Sequence, residues 1–147
     1  MHPVLGLRRV AVLCAFSAAL CAQGKNVLVY GNSLSLFHGG VAPVLTALAA
    51  EAGLPPPVIV ERSVTGVALH YHATDPAQVA AITTALPAGQ QWDVVILQGI
   101  SHETTTTLGN PAQFLADATT ILGNVRAHSP AATALVFQTY ARGQGHS

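Results

Sequence analysis

The sequence predicts a three-layer α/β/α domain built on a parallel sheet. Short β-branched apolar runs alternate with stretches of helical periodicity. The helical stretches open on turn or capping residues, and the 147 residues, 50% apolar and 8% charged, suit one well-buried core rather than a disordered chain.

Asn26–Tyr30 (NVLVY) is a nearly continuous apolar run, as expected of a strand covered on both faces. After Gly39-Gly40, the residues Val41, Val44, Leu45, Leu48, Ala49 and Ala52 recur at helical spacing, with Pro43 tolerable in the first turn and Gly53 as the stop. Residues 58–60 form a second strand after the Pro55-Pro56-Pro57 spacer. Asp75-Pro76 reads as N-cap and N1 of a second helix with Val79, Ile82, Thr83 and Leu86 on one face. Residues 94–97 make a third strand, entered through Trp92-Asp93, for which strand entry and packing on a helix suffice as roles. Asn110-Pro111 starts a third helix with the face Phe114, Leu115, Ala118, Ile121, Leu122 and Val125, ending before Ser129-Pro130. Residues 134–139 give a fourth strand.

This β-α-β-α-β-α-β order implies right-handed crossovers and helices on both faces of the sheet. Ligands in such sheets bind beyond the carboxyl ends of the strands. Chemistry is therefore expected at Gly31-Asn32-Ser33, residues 63–66 and residues 98–103.

Residues 1–22 read as a signal peptide. Arg8 and Arg9 precede an apolar run over residues 10–20, too short to span a bilayer comfortably, and cleavage is expected after Ala22. An uncleaved anchor or a misassigned start codon is the other reading. Leu20 before Cys21 departs from a lipidation site. Cleavage would place the domain, residues 23–147, in a secreted or periplasmic location. It would also remove Cys14 and Cys21, and with them any disulfide or thiolate metal site. Beyond residue 22, four basic and six acidic residues leave a net charge of −2, and no basic nucleic-acid footprint exists. No further membrane segment is evident.

Ser33 follows a buried strand and precedes a helix, so its hydroxyl is placed at the rim of the sheet. A serine nucleophile needs a base and oxyanion donors; an ordinary helix-entry serine needs neither, and spacing alone favours the latter. The segment NVLVYGNSLSL (residues 26–36) resembles the first block of SGNH (GDSL-like) hydrolases, with Asn32 where many members carry Asp. SVTGVALHYH (63–72) is similar to the second block of a bacterial Gly-Asn-Ser branch, and DVVILQGISH (93–102) to its third strand and to the Gln-Gly-x-Ser/Asn of sialate O-acetylesterases. TYAR (139–142) resembles the end of the fourth strand.

The resemblance implies a flavodoxin-like sheet with four of five core strands present. It makes Ser33 the nucleophile and the Ser33 and Gly66 N–H groups oxyanion donors. The family's third-block Asn falls on Ser101, a shorter donor, and Gln98 is the alternative. The implied reaction is ester hydrolysis through a Ser33 acyl-enzyme, on small acetyl esters or acetylated carbohydrate, with no cofactor.

The family's base and its orienting acid stand together as Asp-x-x-His, a motif absent from this sequence. A C-terminally incomplete domain is the expectation, with residues 134–139 exposing an apolar edge and the 147-residue product poorly soluble. Among the internal histidines, His102 is the best placed as a base; His38 lies on the loop entering the first helix, and His72 belongs to the second block. His70, His72 and Asp75 could suggest a metal, but two His at i, i+2 share a face only in an extended segment and no third ligand follows, so no metal is expected. Thr104, Thr105, Thr106 and Thr107 read as a solvated loop with hydroxyls able to meet a sugar. Two other readings stand beside the enzyme: a catalytically incompetent chain binding a glycan, and a flavodoxin-like phosphate or nucleotide binder, whose Gly-rich spacing is lacking. Oligomeric state is not legible.

Overall fold

The computed structural model describes residues 23–138. The signal peptide expected at residues 1–22 and the TYAR segment at 139–142 lie outside them. Four strands, β1 (Asn26–Tyr30), β2 (Val58–Glu61), β3 (Val94–Leu97) and β4 (Thr133–Val136), form one sheet in the order β2-β1-β3-β4. All pairings are parallel, with Leu28 opposite Val60 and Val95, and Ile96 opposite Leu135. The helices are α1 (Val41–Glu51), α2 (Leu69–Thr74), α3 (Pro76–Thr84) and α4 (Pro111–His128).

The central strand explains the uninterrupted apolar run: β1 is buried from Val27 to Tyr30 and feeds both faces. Leu28, Tyr30, Val95 and Leu97 pack with Leu69, Ile82, Ile121 and Val125 from α2, α3 and α4. Val27, Val29 and Ile96 face the other way, against Val41 and Leu45 of α1. The three-layer architecture is as the alternation required. Trp92 is buried, its indole N–H donating to the Ile82 carbonyl (2.7 Å).

The helix signals behave as their chemistry dictates. Asp75 accepts the N–H groups of Ala77 and Gln78, both at 3.0 Å, with Pro76 at N1. Asn110 accepts the Gln113 N–H (3.1 Å) ahead of Pro111. At the end of α1, Gly53 takes φ +66° and the Leu54 N–H reaches back to the Ala49 carbonyl, the bond that closes a helix on a left-handed residue. Asp75→Ala should cost about 1 kcal/mol and lower the melting temperature by about 4 °C; an unchanged melting curve would show that Pro76 alone sets the start of α3.

Several apolar faces differ from the periodicity. Val44 and Leu48 are exposed, because α1 meets the sheet along the narrow stripe of Val41 and Leu45. On α3 the buried positions are Gln78, Ala81 and Ile82, while Thr83 faces solvent. On α4, Leu115 is exposed and Asp117 buried in its place. Residues 69–74, to which no element was assigned, form α2, and β4 begins one residue early and ends at Val136. Among the described residues β4 pairs with β3 alone, and Leu135 and Val136 are exposed. No helix among them is long and apolar enough to cross a membrane.

Candidate active site

The carboxyl ends of β1, β2 and β3 bring three loops together. The β1–β2 ladder continues past the strands through Arg62 N–H to Val29 O (2.8 Å) and Val64 N–H to Gly31 O (3.1 Å). On the other side, Gln98 N–H donates to Tyr30 O (2.9 Å). These bonds set residues 63–66 and Gln98 on either side of the Gly31–Ser33 turn.

That turn is held from within and from below. Asn32 is buried, and its side-chain oxygen accepts the Leu34 N–H (3.0 Å), an Asx turn. Its carbonyl accepts both the N–H and the hydroxyl of Ser35 (3.1 and 2.8 Å). Its N–H donates to Gln98 Oε1 (3.1 Å), and Ser35 Oγ lies 2.6 Å from Ser63 Oγ. Gly31 is required by packing: a Cβ there would stand 2.3 Å from Ser35 Oγ and 2.9 Å from Gln98 Oε1.

Ser33 sits half-buried at the tip, and neither its hydroxyl nor its N–H makes a hydrogen bond among the described residues. It does not cap a helix. Helix α1 starts eight residues later with Gly40 as its N-cap, and its Val41 N–H is taken by Glu61 (3.1 Å). The helix-entry reading of Ser33 therefore has no support in the geometry. Gly66 is exposed in a turn at φ +77°, a conformation that favours glycine, and its N–H has no partner among the described residues.

Two buried amides border the turn with donors unspent: Asn32 Nδ2 and Gln98 Nε2. A buried donor without a partner calls for an explanation, and proximity to a reacting group is one. Ser101 and His102 lie further along the same loop, half-buried, and neither side chain makes a hydrogen bond among the described residues. No carboxylate fixes the His102 tautomer, so the histidine singled out as a base is not oriented as one.

Sequence reasoning missed the two groups that brace this region. Glu103 is buried, and its carboxylate accepts the Leu69 N–H (3.1 and 3.3 Å) and the Ile100 N–H (2.9 Å), tying the start of α2 to the third-strand loop. His72 is buried beneath the turn and donates from Nε2 to the Gly31 carbonyl (2.8 Å), with Tyr30 and Tyr71 packed around the ring. The signal for His72 was its place at i+3 from Leu69, which lands both on the buried side of α2. His70 points elsewhere, to Asp117 (3.0 Å), so the pair never converges on a metal. No group of three or more His, Cys, Asp or Glu side chains suited to a metal ion occurs among the described residues.

Burial holds the His72 pKa below its ordinary 6.5, outweighing the Gly31 bond, which favours the charged form. His72 is therefore neutral when folded, whereas the unfolded chain takes up a proton as pH falls through 6.5. The linked stability is complete above that value and is lost as pH drops toward the lower folded-state pKa. Melting temperature should fall as pH drops below about 6.5, and His72→Asn should flatten that slope. An equal slope in the variant would assign the acid sensitivity to other groups.

Comparisons with known proteins agree with this geometry at the level of fold. No protein-family model and no curated protein matches the chain. Among solved structures, it is similar to a protein from Slackia heliotrinireducens assigned to the SGNH hydrolases (20% identity, TM-score 0.59, covering 80% of this chain and 58% of that one). It is also similar to TesA (21% identity, TM-score 0.53, covering 76% and 59%). A third likeness is to a family 2 carbohydrate esterase from Clostridium thermocellum, solved with cellohexaose (14% identity, TM-score 0.54, covering 82% and 45%). The chain thus spans less than two thirds of the length of each of these structures. Its fold is that of the SGNH hydrolases and carbohydrate esterases.

Proposed function

We propose that this SGNH-fold chain carries the nucleophile site of a serine esterase acting on small acyl esters, acetyl groups on carbohydrate being the favoured substrates. One observation carries the reading: Ser33 stands at the end of the central strand with its hydroxyl and N–H both uncommitted, in a turn fixed on every other side. The Ser33 Oγ attacks the ester carbonyl, and the alcohol leaves as the acyl-enzyme forms. Water then releases the acid. The N–H groups of Ser33 and Gly66 stabilise the oxyanion, with Gln98 as side-chain donor in preference to Ser101, since Gln98 Nε2 is one of the two buried amide donors left unspent beside the turn. The carbohydrate preference is supported by the carbohydrate esterases among the structural neighbours. Secretion, through residues 1–22, is part of the same proposal.

The test is acetate release from acetylated xylan and from p-nitrophenyl acetate, compared with p-nitrophenyl palmitate. Preference for the acetyl esters supports the reading; faster cleavage of palmitate would overturn the substrate assignment. A second reading, glycan binding without turnover, is favoured by one fact: the Ser33 hydroxyl has no histidine bonded to it among the described residues. Glycan binding with no acetate released would select that reading.

A further inference from the structure

A groove of about 370 Å³ lies between the start of α2, the loop after β3 and the start of α4. Its lining includes Ala68, His70, Ile100, His102, Leu108 and Asn110. It adjoins the candidate active site through the chain itself: Ala68 is two residues past Gly66, and Ile100 is two past Gln98. His70 is the polar group built into it. The imidazole is 57% exposed, while the Asp117 carboxylate it meets at 3.0 Å is only 6% exposed and also accepts Gln113 Nε2 at 3.1 Å on both oxygens. A buried carboxylate on Nδ1 fixes the tautomer with the proton there and leaves Nε2 as an oriented acceptor.

The remaining polar groups define what the groove takes. The Asn110 side-chain oxygen is spent on the Gln113 N–H, which leaves its amide as a donor, and the His102 ring is uncommitted. Both carboxylates are consumed, Glu103 by backbone N–H groups and Asp117 by His70 and Gln113. No Lys or Arg lines the groove. An oriented acceptor, a spare donor and the apolar lining residues Ala68, Ile100 and Leu108, without an available charge, suit a ligand whose hydroxyls both donate and accept and whose C–H faces are apolar. We infer that this groove binds the neutral, polyhydroxylated alcohol part of the substrate, a sugar ring, with His70 accepting a hydroxyl proton in a hydrogen bond and Asp117 acting as its positioning residue.

This inference rests on the esterase reading for the identity of the alcohol, but its test does not depend on turnover. Histidine side-chain nitrogen resonances of the Ser33→Ala chain should be followed while xylotetraose and cellotetraose are added. At least one of these sugars should move the His70 Nε2 signal, and His70→Ala, a change at an exposed side chain, should weaken its binding about tenfold or more. Asp117→Asn should weaken it as well and shift the His70 tautomer signal in the free protein. No movement of His70 with either sugar, or tighter binding of glucose 6-phosphate than of the neutral sugars, would overturn the assignment. Failure here with p-nitrophenyl acetate hydrolysis intact in the Ser33 chain would remove the groove and leave the esterase reading standing; the converse pattern would do the opposite.

Discussion

Replacing Ser33 by alanine is expected to lower kcat/KM for p-nitrophenyl acetate by about 10³-fold or more. Without the hydroxyl no acyl-enzyme can form, and only binding and oxyanion stabilisation by the Ser33 and Gly66 N–H groups remain. The backbone donors survive the substitution, so a small residual rate is expected. Fold should survive too, because the hydroxyl makes no hydrogen bond. Ser35→Ala is the informative companion. Its hydroxyl donates to the Asn32 carbonyl and lies against Ser63, so its loss should loosen the turn and reduce the rate far less than loss of the nucleophile. Equal rates for the parent chain and Ser33→Ala would sink the catalytic reading.

Glu103→Ala should be the most damaging single change at a polar position, costing about 3 kcal/mol. Its carboxylate satisfies the N–H groups of Leu69 and Ile100, and Leu69 is itself buried, so truncation strands donors that water reaches poorly. The favourable placement of an anion at the first residue of α2 is lost at the same time. Because Gly66 lies three residues before Leu69, and Gln98 two before Ile100, the same change should also misplace proposed oxyanion donors on both sides of Ser33. Denaturant unfolding measures the first effect and esterase rate the second. A stability loss below about 0.5 kcal/mol, the range of ordinary surface changes, would show that these loops hold their shape without Glu103.

The fold was legible because its determinants are local. The NVLVY run, the Asp75-Pro76 and Asn110-Pro111 caps and the Gly53 stop each act within a few residues, and they place the strands and helix starts nearly as observed. What escaped was tertiary. On α4, Leu115 is exposed and Asp117 is buried against His70 of α2, a contact between elements that no periodicity within α4 encodes. Helix α2 has six residues, too few for a pattern, and it sends His70 and His72 to different partners. The loops named for chemistry do come together: Gln98 holds the turn that carries Ser33 through the Asn32 N–H, and the 63–66 segment is bonded alongside. His102 was named from its loop position alone, and orientation by a second group is a property that sequence position does not carry.

The most direct measurement is covalent capture of the nucleophile with a fluorophosphonate, which reacts at activated serine hydroxyls, followed by peptide mass spectrometry. A single adduct on the peptide bearing Ser33, absent from Ser33→Ala, is the predicted result. No adduct, or one confined to Ser35 or Ser101, would contradict the assignment of Ser33 as the esterase nucleophile.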